Sequence, residues 1–243
     1  MVEGDDTPLS PSKKNQIKQV FQGFLSNRAR TIRHLKIEDL NINPFLIRIM
    51  AKEMGVEDAE SIVRWLVMQR SMTGANTSFG FCLQEIAKLF TEGTGVEGAD
   101  IQKTKEGRHY HIQVKSGPST MDKDAVQHMS QLLVSVQRRN RGSVALLGMC
   151  YGTREQVMST VKKYSDVDWL VGREFWEFVS DDPSCIDEIY DLAREVGETF
   201  RDPQGETLSE ILDGKTKELR DEFIKRYGKG GDEMWKNLLD GNS

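Results

Sequence analysis

From about residue 13 to residue 92 apolar positions recur every three or four residues, the spacing of amphipathic helices. Ile17, Val20, Phe21, Phe24 and Leu25 form one stripe behind a capping Ser12 or Asn15, and Pro44 opens a second with Phe45, Ile47 and Met50. Ser61 caps a third, with Ile62, Val63, Leu66 and Val67. The stretch Ser71 to Ser78 is rich in Ser, Thr, Gly and Asn, which predicts a loop before a fourth helix from Phe79 to Phe90. Residues 1–12, rich in Pro, Ser and Asp, are expected to fray because nothing in them is apolar enough to dock.

After Gly93 the period changes. Tyr110, Ile112 and Val114 alternate with His111, Gln113 and Lys115, the two-residue repeat of a strand over 108–116. Residues 98–103 predict its partner, joined to it by the turn Lys105-Glu106-Gly107-Arg108. A helix from Lys123 to Arg139 and the apolar strand Val144 to Tyr151 follow, and strand-helix-strand order favours a parallel crossover. A helix over Thr153 to Lys163, a strand Trp169 to Val171 and a helix Arg173 to Val179 complete this part; beyond Pro183 the pattern is helical and highly charged. The expected class is α/β, a mixed central sheet flanked by helices with helical additions at both ends. It divides into a basic helical region 1–75, a core 76–182 and an acidic helical region 183–243.

With 243 residues, 37% of them hydrophobic, the chain can bury a substantial core, so a disordered tail is excluded. Met1-Val2-Glu3-Gly4-Asp5-Asp6 is acidic where a secretory leader is basic and then apolar. The longest uncharged apolar stretch, Ser143 to Gly152, is half the ~20 residues of a membrane span, so a soluble protein without a membrane partner is expected. Cys82, Cys150 and Cys185 are odd in number and widely spaced, which argues against disulfides and structural zinc and for a reducing compartment. The net charge of −5 is unevenly held: residues 166–243 contain 21 acidic and 10 basic residues, a net −11, which leaves +6 on residues 1–165. Lys13 to Lys36 carries seven cations and no acid, and a second basic stretch ends in Arg138-Arg139-Asn140-Arg141. Each is either a nucleic-acid footprint or a solvated helix face.

One group of polar residues suits chemistry. Gln113 and Lys115 project from the same strand face, and the hairpin brings Asp100 on the neighbouring strand towards them. A carboxylate and an amide oxygen are hard ligands for Mg²⁺, and an ammonium can stabilise charge on a phosphate or assist deprotonation of water. A surface ion pair on a sheet edge is the plain alternative.

Asp100, the spacing to Gln113-x-Lys115 and the strand-turn-strand-helix context resemble the PD-(D/E)xK nuclease superfamily. Lys115-Ser116-Gly117-Pro118 and the later Val171-Gly172-Arg173-Glu174-Phe175-Trp176-Glu177-Phe178, with Asp182-Pro183, are similar to its type II restriction endonucleases. The resemblance covers roughly residues 61–190. It implies a restriction-endonuclease-like core and Mg²⁺-dependent hydrolysis of double-stranded DNA at a short specific site, with Mn²⁺ as a substitute metal. It further implies a homodimer in the cytoplasm of a bacterial or archaeal cell. In that reading Asp100, Gln113 and Lys115 are catalytic, and Asp100 and Gln113 hold the metal. The chain departs from the family pattern in two places: Gly98-Ala99 stand before the aspartate, and Gln113 stands where a carboxylate is usual, which lowers the ligand charge. Glu85, on the helix before the hairpin, is the candidate for the missing charge; pairing with Lys88 is its equally weighted alternative. Glu97 is a weaker candidate, facing the other side of the strand.

For DNA contact the candidates are Ser116, Ser119, Lys123, Arg138, Arg139 and Arg141, with Arg64, Arg70, the Arg28, Arg30 and Arg33 group and the Thr73 to Ser78 loop. His111 shares the face of Gln113 and is expected to be a satisfied strand histidine, while Trp65, Trp169 and Trp176 are expected in the core. The acidic C-terminal third is expected to face solvent or another subunit, and either it or the helices before the core is expected to supply the dimer surface. Two other readings fit the same residues: a junction-resolving or repair nuclease of the same fold, and a non-catalytic DNA-binding module with a degenerate site.

Overall fold

The computed structural model describes residues 9–92, 96, 98–119 and 121–243. Helix starts are set by short side chains that accept from free backbone amides. Ser10 Oγ accepts the amide of Lys13 ahead of α1 (Pro11–Arg33), and Asn43 Oδ1 accepts those of Phe45 and Leu46 ahead of α2 (Pro44–Met54). Asp58, rather than Ser61, caps α3 (Ala59–Lys88): its Oδ1 accepts the amide of Ser61 at 2.8 Å. Leu9 is buried at 1% exposure, so apolar docking begins before residue 12, contrary to the fraying expected there.

The loop expected over Ser71 to Ser78 is instead the middle of α3, a helix of 30 residues. Thr73 Oγ1 donates to the carbonyl of Gln69 and Ser78 Oγ to that of Gly74, both at 2.8 Å. The hydroxyls bond back to the preceding turn, so a composition typical of loops is accommodated within a helix.

The chain clusters into two compact units, residues 1–22 with 79–198 and residues 23–78 with 199–243, a division that cuts across the three regions read from the sequence. The first unit is built on a four-stranded sheet in the order β1 (Ile101–Lys105), β2 (Arg108–Lys115), β3 (Val144–Met149), β4 (Asp168–Val171). β1 and β2 are antiparallel, with Ile101 opposite Ile112; Glu106 and Gly107 both have positive φ, as a two-residue type I′ turn requires. β2–β3 and β3–β4 are parallel, the first pair linked by α4 (Lys123–Arg139) as the crossover pattern predicts. Val126, Met129 and Leu133 of α4 pack on Ala145, Leu147 and Met149. On the other face, Gly148 gives room to the ring of Phe175 in α6 (Arg173–Ser180), since a Cβ there would lie 2.4 Å from it. The helix expected from Thr153 is shorter, α5 (Ser159–Tyr164), and α7 (Cys185–Thr199) follows α6.

In the second unit, Ile47, Ile62, Leu66 and Val67 pack with Leu219, Phe223, Met234 and Leu238 of α8 (Leu208–Tyr227) and α9 (Gly231–Asp240). Burying such side chains contributes roughly 1.5–3 kcal/mol each.

Part of the basic N-terminal stretch pairs with part of the acidic C-terminal region. In the first unit Lys14 pairs with Glu188 and Lys18 with Glu195; in the second Arg33 bridges Asp202 and Glu206. Arg28 is buried and donates to the carbonyl of Ser71, and Arg30 donates to Asn27. Buried Arg28 and the Arg33 bridge hold the fold together, which corrects the assignment of these two arginines to DNA, while Arg30 stays exposed. Among the described residues no helix is long and apolar enough to cross a membrane.

Candidate active site

The hairpin sets the site through its register. Ile101 faces Ile112, so Asp100, one residue before β1, lies opposite Gln113, and its amide donates to the carbonyl of Ile112 at 2.9 Å. Val114 then directs its amide and carbonyl towards the side where β1 has ended, and both groups find partners. The amide donates to Asp100 Oδ2 at 2.7 Å, and the carbonyl accepts Gln84 Nε2 of α3 at 2.8 Å. Gln113 Nε2 also donates to Asp100 Oδ2. Asp100, Gln113 and Lys115 are all half-buried, and Lys115 follows on the same face of β2 at the carboxyl end of the parallel strands, paired in register with Met149. The structure thus brings Asp100 and Gln113 into direct contact with Lys115 beside them.

The surroundings are tightly packed. Gly80 of α3 lies against Ser116, one helical turn before Gln84. Gly117 accommodates the ring of Tyr151, which a Cβ would approach to 2.2 Å, and Tyr151 is 49% exposed next to the Lys115-Ser116 end of the strand. The neighbouring Cys150 thiol is pushed up by burial and then by the charge of Asp100, which keeps it protonated. Cys82 is likewise pushed up to about 12 by burial and then by Glu85, and Cys185 to about 11, chiefly by burial. All three cysteines are buried and free, so none is a reactive thiolate.

Glu85 is not brought to this group: its carboxylate is exposed and takes Lys88 Nζ at 2.6 Å, the alternative weighed for it. The residue of α3 that reaches β2 is its neighbour Gln84, a polar residue inside the buried Cys82, Leu83, Ile86, Ala87 stripe. That placement was the available signal. Glu97 lies outside the described residues. Ser116 is half-buried, and Ser119 and Lys123 are exposed beyond β2 on the side of Lys115; Lys123 Nζ sits 5.1 Å from the ring centre of Tyr164. Arg138 and Arg139 end α4 and Arg141 precedes β3, so these exposed arginines stand at the opposite end of the sheet from Lys115. Arg64 and Arg70 are exposed on α3 in the other unit, and Arg64 pairs with Glu60. His111 is 6% exposed and its Nδ1 has no hydrogen-bond partner, which overturns its reading as a satisfied strand histidine.

The donor set suits a small hard cation. The contacts to Asp100 Oδ2 leave Asp100 Oδ1 and Gln113 Oε1 as oxygen donors, and Mg²⁺ is commonly held by one or two such groups with water completing its shell. Among the described residues no three His, Cys, Asp or Glu side chains are grouped to hold a metal ion, so the donors at this site are the Asp100 carboxylate and the Gln113 amide oxygen.

The mixed sheet flanked by helices is a restriction-endonuclease-like fold, and Asp100, Gln113 and Lys115 meet on its antiparallel hairpin. The chain belongs to the family of the type II restriction endonuclease EcoO109I, whose family model matches residues 12–198. No curated protein matches the sequence. Family membership makes it an endodeoxyribonuclease of the restriction type, acting on double-stranded DNA.

Proposed function

We propose that this protein is a Mg²⁺-dependent type II restriction endonuclease that hydrolyses phosphodiester bonds of duplex DNA at a short specific site. The observation that carries the reading is the direct contact of Asp100 with Gln113 on adjacent strands, with Lys115 on the same face. Asp100 and Gln113 are the residues to hold the metal, and Mn²⁺ is expected to substitute. Bound Mg²⁺ would polarise the phosphate and make its coordinated water more acidic. The Val114 amide holds Asp100 Oδ2, which orients the carboxylate and leaves Oδ1 for the metal. Lys115, as an ammonium, stabilises the negative charge that develops on the phosphoryl oxygens, or assists deprotonation of the attacking water. Ser116, Ser119 and Lys123 would hold flanking phosphates; Arg138, Arg139 and Arg141 are exposed at the other end of the sheet, and Arg64 and Arg70 are exposed on α3.

A symmetric target implies a two-fold dimer with one centre per strand. The exposed Phe45 and Ile49 of α2, at 75% and 73%, support a dimer surface in the helices before the core. Size-exclusion chromatography with light scattering checks this: a fully active monomer removes that part of the proposal.

Digestion of plasmid DNA with Mg²⁺ tests the function. Discrete bands are expected; cutting confined to branched or damaged DNA would instead identify a structure-selective nuclease. Gln113 in place of a carboxylate is the observation that favours the second reading, a DNA-binding module without catalysis. Binding to duplex DNA with no metal-dependent cleavage of any substrate would establish it.

A further inference from the structure

On the face that carries Asp100 and Gln113, the hairpin continues into a cavity of about 480 Å³ at the other end of β2. Its wall includes Gln102 and His111, which are paired across the two strands, and Asn140 and Arg141 from the turn before β3. The floor is unusual. His111 is 6% exposed, yet its Nδ1 makes no hydrogen bond, and a buried polar atom left in that state is costly. Gln102 and Arg141 have no side-chain partner among the described residues, and Asn140 donates its amide to the Val136 carbonyl at 2.9 Å, leaving Oδ1 as an acceptor. A neutral imidazole carries one ring nitrogen that donates and one that accepts.

This chemistry matches a nucleobase better than a phosphate. The wall carries Arg141 and Glu92, and its other cation, Lys103, is held by Asp181, so the site lacks the strong positive potential a phosphate requires. Arginine, glutamine, asparagine and glutamate are instead the side chains that pair with base edges. The distance also fits: His111 is two residues from Gln113 along the strand, roughly 7 Å, about the reach of a neighbouring nucleotide. A stacked base cannot enter a concavity of this kind, whereas an extruded one can.

We propose that this cavity receives the base of one nucleotide of the cleaved strand beside the scissile phosphate, and that Gln102, His111, Asn140 and Arg141 read it. The inference rests on the nuclease reading above. Once the cut position has been mapped, duplexes carrying 2-aminopurine at each flanking nucleotide are mixed with the full protein in Ca²⁺, which supports binding without cleavage. Emission is expected to rise at one of these positions as the base leaves the stack. The Gln102→Ala/Arg141→Ala double variant, altered only at half-buried or exposed positions, should lose most of that rise. It should cleave the intact site about tenfold more slowly, while its rate on a duplex abasic at that nucleotide equals the wild-type rate. Flat emission at every flanking position, or an equal slowing on intact and abasic duplexes, overturns the inference and leaves the nuclease reading standing. Failure to cut any duplex overturns both.

Discussion

The two units use their polar side chains in opposite ways. In the helical unit, charges that look available in the sequence are spent on connecting elements: Arg33 bridges Asp202 and Glu206, Arg220 reaches Glu60, and Arg226 joins Glu38 and Glu222. The sheet unit does the same on the other face of its hairpin, where Lys103 and Lys105 hold Asp181, and beyond it, where Arg173 holds Asp187. On the Asp100 face of the hairpin the pattern stops. Lys115, Gln102 and Arg141 have no side-chain partner among the described residues, Asp100 uses one oxygen of two, and His111 is buried with an unsatisfied nitrogen. Since folded proteins normally satisfy their polar groups, the place where they do not is a better guide to function than the place where charge is densest.

The sharpest way to break this comparison is to remove the ammonium that structure does not use. Lys115→Ala is expected to lower the single-turnover cleavage rate by about 10²–10³-fold, the effect of deleting one group aimed at developing charge. Its melting temperature and its DNA affinity in Ca²⁺ should stay close to wild type. Retained cleavage, or loss of folding, would show that Lys115 belongs with the structural charges after all.

The converse experiment is made in the helical unit. Burial alone would raise the pKa of Asp202, but Arg33 and the amides of Glu206 and Gln204 outweigh it and hold the carboxyl below its ordinary range. A carboxylate whose folded pKa is depressed stabilises the fold above its unfolded pKa of about 3.9, and that stability is lost as pH falls through the folded value. Arg33→Ala should therefore lower the melting temperature most at neutral pH, and the two melting curves should converge in acid. Cleavage per folded molecule should be unchanged; a selective loss of cleavage would return Arg33 to the DNA-binding candidates.

Much of the sheet unit was legible because its signals are local. The period-two run over 108–116, the Glu106-Gly107 turn and the Lys123 to Arg139 helix each follow from neighbouring residues, and the register they imply places Asp100 opposite Gln113. What escaped was set by contacts distant in sequence. Nothing near Lys14 or Lys18 announces Glu188 and Glu195, so a run of cations looked like a DNA surface. Thr73 and Ser78 have loop propensity, and only their bonds to carbonyls four residues back reconcile them with helix α3. Glu85 and Gln84 differ by one helix position, and about 100° of rotation decides which of them reaches β2.

Packing offers a smaller contrast. Gly148 in β3 faces the fully buried Phe175, and a Cβ there would lie 2.4 Å from the ring and 3.3 Å from Ile112. Gly148→Ala is expected to cost about 1–3 kcal/mol in chemical denaturation, because neither neighbour can move without disturbing the sheet that aligns Asp100 and Gln113.

The smallest effect should have the opposite sign. Gly214 lies inside α8, where an added Cβ meets nothing within 4 Å and the helical backbone suits any L-residue. The glycine mainly adds freedom to the unfolded chain, so Gly214→Ala should stabilise the protein by about 0.4–1 kcal/mol. Cleavage should not change, because no side chain of the hairpin face is touched. Denaturant midpoints of the Gly148 and Gly214 variants, measured side by side, then ask whether the sheet unit is the one with no room to spare. Equal destabilisation by both alanines would show that the helical unit is packed as closely around its glycines as the sheet that holds the site.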